Sequence, residues 1–221
     1  MNYVKNVGVI LAAGVGSRFQ SDKPKQFILI NNREIISYSI EEFKNVKNMD
    51  DFIVILGKNE VLEGKVAKKY SVTTVAGGST RAESFYNALL YVKEHFPECE
   101  KIIFHEAARP LVEADVFEYY FNLLDEFDYV ETCKHITDSL GSYLSEIPKR
   151  DDYYLIQAPE AYRFDLLIKY FDVTSDIYYA AHQLPKTCKG YKFFDLKHNI
   201  KLTYPEDVGL VNYYLMGKYQ N

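Results

Sequence analysis

Three apolar runs do most to constrain this chain: Val7-Gly8-Val9-Ile10-Leu11, Phe52-Ile53-Val54-Ile55-Leu56 and Lys101-Ile102-Ile103-Phe104-His105. None alternates apolar with polar residues, so a strand built from any of them has two faces to bury. Helical patterns fill the space between them. Apolar positions recur at helical spacing over 35–43, and further helices are predicted over 60–70, 82–95 and 115–127, with another strand at 71–75. Two-sided apolar strands alternating with helices call for a sheet covered on both faces. The predicted fold class is therefore α/β, a doubly wound, mostly parallel, Rossmann-like sheet.

Residues 129–156 break this rhythm. They alternate loosely, carry Gly141, Pro148 and several charges, and show no helical periodicity. They read as extended strands forming a β-arm, at about 133–156, that projects from the main sheet. A helix at 164–170 follows, then a β-rich stretch at 191–202. A last helix is predicted from about Pro205, because proline in the first turn followed by Glu206-Asp207 suits a helix N-terminus. No internal repeat or low-complexity linker intervenes, so residues 1–221 read as a single domain.

Charge and cysteine usage exclude several classes. Lys+Arg number 26 against 31 Asp+Glu, a net charge of −5, and an acidic chain is a poor match for a phosphate backbone. No apolar run approaches the roughly 20 residues of a membrane span, and the start lacks a secretion-signal pattern. A cytoplasmic protein is expected. Cys99, Cys133 and Cys188 are odd in number and form no metal-ligand spacing with the five histidines, so they read as reduced thiols in or near the core. The 20 tyrosines and 14 phenylalanines read as core or interface mass.

The chemistry is expected at Leu11-Ala12-Ala13-Gly14-Val15-Gly16-Ser17-Arg18, directly after the first strand. Small residues there let backbone N–H groups approach an anion at the carboxyl end of a parallel strand. The dinucleotide fingerprint needs a third glycine where this chain has Phe19, and the Gly-Lys-Ser/Thr of a P-loop is absent. Arg18, Lys23 and Lys25 then fall within eight residues, with Pro24 stiffening the loop. Three cations after a glycine turn suit a polyphosphate; the alternative is a solvated surface loop.

Leu11-Ala12-Ala13-Gly14-x-Gly16-Ser17-Arg18, followed by Pro24-Lys25-Gln26, resembles the signature of the cytidylyltransferases that act on 2-C-methyl-D-erythritol 4-phosphate or ribitol 5-phosphate. Five further blocks match in that family's order. They are Gly77-Gly78-Ser79-Thr80-Arg81-Ala82-Glu83-Ser84, His105-Glu106-Ala107-Ala108-Arg109-Pro110, Thr137-Asp138-Ser139, Gln157-Ala158-Pro159, and Asn199-Ile200-Lys201-Leu202-Thr203 with Pro205-Glu206-Asp207. The resemblance implies CTP held by Leu11, Ala12, Ala13, Gly14, Gly16, Gly78, Arg81 and Ser84. It implies catalytic charge neutralisation by Arg18, Lys25 and Lys201, and Mg²⁺ or another divalent cation at Glu106, where the family has Asp. It places Glu106, Arg109, Ser139 and Arg150 at the acceptor, and implies a homodimer formed through the β-arm, with Arg150 reaching the neighbouring subunit's site.

Glu106 has a second reading, as a carboxylate paired with Arg109 along the same turn, and the two readings are compatible. Ala158 replaces a family Thr, Glu160 a family Gln, and Thr174-Ser175-Asp176 reduces a longer polar run. Ile147-Pro148-Lys149-Arg150-x-x-Tyr153-Tyr154 is similar to the ribitol-phosphate members, whereas the His105 to Pro110 block is closer to the erythritol enzyme. The expected activity is a Mg²⁺-dependent cytidylyltransferase joining CTP to an alditol phosphate with release of pyrophosphate. A ribitol-5-phosphate-like acceptor is slightly favoured, the erythritol phosphate of isoprenoid synthesis is the alternative, and a non-catalytic CTP-binding paralogue is the rival of another class.

Overall fold

The structure, a computed structural model, describes residues 3–14, 16–19, 23–143 and 148–218. Its main sheet has seven strands. In chain order these are β1 (Asn6–Leu11), β4 (Asp51–Leu56), β5 (Thr73–Ala76), β6 (Lys101–Glu106), β7 (Tyr129–His135), β8 (Tyr154–Arg163) and β9 (Gly190–Phe193), while β2 (Leu29–Ile30) and β3 (Arg33–Glu34) form a separate small hairpin. The sheet order is β5-β4-β1-β6-β8-β7-β9, and β8 alone of these seven runs antiparallel to its neighbours. This is the mostly parallel α/β sheet expected. From β1 the chain winds outward to β4 and β5, then crosses back to place β6 on the other side. That reversal is a topological switch point, where α/β sheets bind ligands beyond the carboxyl ends of their strands.

The unalternated strands are explained by two cores. Ile10, Val54 and Ile103 pack with Ile36, Ile40 and Phe43 of α1 (Ile35–Asn45) and with Phe117 and Phe121 of α5 (Ala114–Leu123). Val9, Ile53, Ile55, Ile102 and Phe104 point the other way, onto Phe85, Leu89 and Val92 of α4 (Arg81–His95). Successive strand residues face opposite sides, so both must be apolar.

Some expectations are corrected. The helix predicted over 60–70 is two helices, α2 (Lys58–Glu63) and α3 (Lys65–Tyr70), because Gly64 adopts φ 64° and ends the first; a left-handed glycine is a common helix terminator. Helix α5 stops at Leu123 rather than 127, where Asp125 and Glu126 would oppose the negative end of the helix dipole. Within the segment read as an arm, 133–135 and 154–156 belong to β7 and β8, and His135 pairs with Tyr154. Between them the described residues form no strand, only a single turn at Arg150–Asp152; residues 144–147, including Ile147, lie outside the described residues. Beyond Phe193 the expected β-rich stretch is a loop that returns to the sheet, where the Leu202 N–H donates to the Ala108 carbonyl at 2.8 Å. Helix α6 (Phe164–Tyr170) matches its prediction, and α7 (Asp207–Lys218) starts two residues after Pro205.

A third apolar cluster bears directly on the site. Phe19, Leu202, Val211 and Leu215 are buried together with Ile30, Ile35 and Tyr38. Burial of Phe19 and Leu202 in one cluster brings their chain neighbours Arg18 and Lys201 to the same end of the sheet. No helix among the described residues is long and apolar enough to cross a membrane.

Candidate active site

A cavity of about 540 Å³ opens at the switch point. Backbone bonds carry the sheet's order past the strand ends into its walls. The Ala12 N–H donates to the Ile55 carbonyl (2.8 Å), that of Gly77 to Leu56 (2.8 Å), and that of Ala107 to Leu11 (3.0 Å). The floor is therefore as fixed as the sheet.

The glycine turn follows β1. Gly16 has φ +68° and needs glycine for conformational reasons. Gly14 is different: its φ is not left-handed, and a Cβ added there would meet nothing within 4 Å. The chain itself imposes no demand for glycine at 14, yet Gly14 lines the cavity. Gln26, 3 % exposed, donates from Nε2 to the Ala12 carbonyl at 2.7 Å and ties the turn to the segment carrying Lys25.

The opposite wall is the start of α4. Thr80 and Glu83 form a reciprocal capping box: the Glu83 N–H donates to Thr80 Oγ1 at 3.0 Å, and the Thr80 N–H to the Glu83 carboxylate at 3.3 Å. Ser84 Oγ accepts from the Gly78 N–H (3.1 Å) and donates to the Thr80 carbonyl (2.9 Å). Its hydroxyl holds the loop in shape.

Four cations, Arg18, Lys25, Arg81 and Lys201, line the cavity, and among the described residues lining it Glu106 is the only acid. Lys201 Nζ lies 2.8 Å from Glu106 Oε2, Arg109 Nε 3.2 Å from the same oxygen, and Arg81 Nε 3.7 Å from Oε1. Burial alone would raise the Glu106 carboxyl; Lys201, Arg109 and Arg81 outweigh it and hold the group down at about 2. Lys25 is shifted down as well, but for a lysine that disfavours the charged form. Burial and the neighbouring Lys201 lower its ammonium below the usual lysine range, while its Nζ donates to the Leu202 carbonyl at 3.1 Å. A positive cavity with a lysine made uncomfortable by its neighbours is a site prepared for an anion.

The structure thus brings Arg18, Lys25, Lys201, Glu106 and all eight expected nucleotide-contact residues, Leu11, Ala12, Ala13, Gly14, Gly16, Gly78, Arg81 and Ser84, around one cavity. Arg109 is not on its wall. It is 6 % exposed and supports Glu106, with Nη1 donating to the Asn199 carbonyl at 2.9 Å, so the pairing read along the 106–109 turn is present. Buried His105 lies beneath; burial and Arg109 push its imidazole down to about 3, leaving it neutral. Ser139 and Arg150 do not line the cavity; both are exposed, and Arg150 Nη1 donates to the Thr137 carbonyl at 3.1 Å. Gln26 and Thr203 line it without having been assigned a role, although both stand in the quoted motifs. Glu160, noted in the sequence only as a departure from the family's Gln, is 1 % exposed and 2.6 Å from Arg81, a contact that no local pattern could show.

No group of three or more His, Cys, Asp or Glu side chains that could hold a metal occurs among the described residues. A resident, all-protein Mg²⁺ site does not fit these walls. One carboxylate in a cationic cavity does fit a Mg²⁺ that shares its coordination with polyphosphate oxygens.

The profile of the IspD family, 2-C-methyl-D-erythritol 4-phosphate cytidylyltransferase, matches residues 7–217. The 2-C-methyl-D-erythritol 4-phosphate cytidylyltransferase of Thermosipho melanesiensis is 30% identical over 219 residues, covering 93% of this chain and 96% of the relative. The bifunctional ribulose 5-phosphate reductase/CDP-ribitol pyrophosphorylase Bcs1 of Haemophilus influenzae is also 30% identical, over 94% of this chain, which spans 48% of that longer protein. Among solved structures, the 4-diphosphocytidyl-2C-methyl-D-erythritol synthase of Anaerococcus prevotii superposes with a TM-score of 0.79 over 96% of this chain and 98% of its own, at 23% identity, a likeness of fold. With the family's profile spanning nearly the whole chain, and a switch-point cavity where its motifs meet, this protein belongs to the IspD family of cytidylyltransferases.

Proposed function

We propose that this chain transfers the cytidylyl group of CTP to 2-C-methyl-D-erythritol 4-phosphate, releasing pyrophosphate. The observation that carries the reading is the convergence of Arg18, Lys25, Lys201 and Glu106 on the cavity beside the glycine turn. The choice of acceptor rests on the family profile over 7–217 and on the Thermosipho relative of nearly equal length. These weigh toward the erythritol phosphate and against a ribitol-type acceptor.

In this reading the triphosphate lies against the turn at Ala12, Ala13 and Gly14, whose missing side chain leaves it room. The start of α4, from Gly78 to Ser84, faces the nucleoside. An oxygen of the acceptor's phosphate attacks the α-phosphorus, the bond to the bridging oxygen breaks, and pyrophosphate leaves with the electron pair. Arg18 and Lys25 neutralise the triphosphate and the charge developing at the α-phosphorus, and Lys201 does so from the other side. The acceptor phosphate, with a second pKa near 6, is already largely dianionic at neutral pH, so no general base is needed. Mg²⁺ arriving with the nucleotide would be held by Glu106 and phosphate oxygens, and would supply charge neutralisation.

Arg109 sits behind Glu106, while Ser139 and Arg150 are exposed on the 136–153 segment. A homodimer in which that segment reaches the neighbouring cavity would bring Arg150 to an acceptor phosphate. The sedimentation coefficient of the purified protein distinguishes dimer from monomer.

The Haemophilus relative supports a second reading, with ribitol 5-phosphate as acceptor. Pyrophosphate release with CTP and Mg²⁺, measured in parallel with both acceptors and a panel of other phosphorylated polyols, separates the two. Turnover with the erythritol phosphate at least tenfold above the rest is the expected result. Preference for ribitol 5-phosphate would reverse the choice of acceptor. CTP binding without turnover on any acceptor would favour a binding paralogue, and no CTP binding would defeat the reading altogether.

A further inference from the structure

Strand β8 carries two residues more than β7 across one step of their ladder. Glu131 pairs with Glu160 and Thr132 with Gln157, so Ala158 and Pro159 bulge between them. A bulge frees backbone groups from the ladder and re-aims the side chains beside it. Here the freed carbonyls are taken up by side chains: Thr132 Oγ1 donates to Pro159 at 2.7 Å and Asn199 Nδ2 to Ala158 at 2.8 Å. Asn199 in turn offers its own carbonyl to Arg109. On the other side of the bulge stands Glu160, with its carboxylate 1 % exposed.

A carboxylate buried this completely persists only when paired. Glu160 Oε1 accepts from Arg81 Nη2 at 2.6 Å, and its Oε2 accepts from the Tyr162 hydroxyl at 2.5 Å. Arg81 is the first residue of α4, and its side chain is 32 % exposed and lines the cavity. Its guanidinium therefore spans two carboxylates, buried Glu160 and cavity-wall Glu106. The distances decide which one sets its position. At 2.6 Å the Glu160 contact is a full charge-assisted hydrogen bond; at 3.7 Å the Glu106 contact is an electrostatic approach without one.

We propose that Glu160 is a positioning residue of the nucleotide site: it anchors Arg81 in the cavity wall and keeps its guanidinium from closing on Glu106. Without the Glu160 charge, Glu106 is the remaining carboxylate within reach of Arg81 among the described residues. Arg81 then swings toward it, withdraws from the nucleotide, and competes for the carboxylate that Lys201 already holds. The ligand's identity in this proposal rests on the functional reading above; the anchoring of Arg81 does not.

Two measurements on Glu160→Gln test it, since glutamine keeps the size and can still accept from Tyr162. In ¹⁵N-labelled wild type without ligand, the Arg81 guanidinium signals are expected to show restricted rotation and slow exchange with water, and in the variant to average and exchange. Equally restricted signals in the variant would overturn the proposal. By calorimetry, E160Q is expected to weaken binding of CTP with Mg²⁺ by about tenfold, R81Q by at least as much, and the double variant no more than R81Q, as for two residues acting as one unit. Additive losses, or unchanged affinity in E160Q, would equally overturn it. Should E160Q fail to fold, Glu160→Asp keeps the buried charge but retracts it, and an intermediate loss with partly freed Arg81 signals is expected; wild-type behaviour in E160D would refute the anchoring. If the wild type itself binds no CTP, the functional reading fails, and the ligand-free spectra still decide whether Glu160 holds Arg81.

Discussion

Replacing Glu106 with Gln removes the only negative charge on the described cavity wall while keeping shape and hydrogen-bond acceptors nearly the same. In the folded protein burial would raise this carboxyl, but Lys201, Arg109 and Arg81 bring it from 4.5 to about 2. At about 1.4 kcal/mol per pH unit, that difference corresponds to about 3 kcal/mol of folding stability in the ionised state. The Glu106 side chain is only 15 % exposed, so solvent screening takes little of it away. The group is depressed on folding, so its contribution is complete above about pH 4.5 and is lost as the pH falls toward 2. The E106Q protein lacks it at every pH. Urea unfolding of both proteins is expected to show a gap of about 3 kcal/mol at pH 7, narrowing to about 2 kcal/mol at pH 3.5. A gap under about 1 kcal/mol at neutral pH, or one that does not narrow on acidification, would refute the assignment of that stability to the Lys201–Glu106–Arg109–Arg81 cluster.

Other perturbations separate site from scaffold. Gly14→Ala should leave the melting temperature within a degree or two, because a Cβ there meets nothing within 4 Å, yet weaken CTP binding by tenfold or more in a calorimetric titration. Gly77→Ala is the opposite case: its Cβ would lie 2.7 Å from both Ala13 Cβ and Ser84 Oγ, and an overpacked contact of that kind costs about 1–3 kcal/mol, read as a lowered unfolding midpoint. Lys25→Ala should cut kcat by about 10²–10³ with the circular-dichroism spectrum unchanged, as expected for a donor that stabilises transition-state charge; near-normal turnover would remove Lys25 from the mechanism. Gln26→Leu leaves the buried Ala12 carbonyl without its side-chain partner, a loss of about 1–3 kcal/mol by chemical denaturation.

Much of this protein is legible in its sequence. The two-sided strands at Val9-Ile10, Ile53-Val54 and Ile102-Ile103 are visible because a residue's burial on alternate faces needs only the local pattern. The glycine turn with Arg18 and Lys25 is legible for the same reason. Failures occur where a non-local contact overrules the local signal. A proline cannot donate to a strand ladder, yet Pro159 sits inside β8, because a bulge accommodates it and Thr132 and Asn199 satisfy the freed carbonyls. The stretch after Phe193 reads as β-rich, yet it loops back, because Leu202 is buried with Phe19, Val211 and Leu215.

The residue types, their order and the chemistry they are suited to were determined by the sequence alone: a parallel sheet, a glycine turn at a strand end, and three cations close behind it. Which side chains meet, and that Lys201, Arg109 and Arg81 share the Glu106 carboxylate, was decided only by the tertiary structure. Lys25 bonds to Leu202, 177 positions away, Arg81 meets Glu160 across 79, and Ser139 and Arg150 stay outside the cavity of their own chain. The reason is physical. Secondary structure and turn chemistry depend on neighbours a few residues apart, whereas pairing between buried charges depends on strand order, crossovers and a bulge. Those are settled by burying the whole apolar surface at once, and no single segment carries that information.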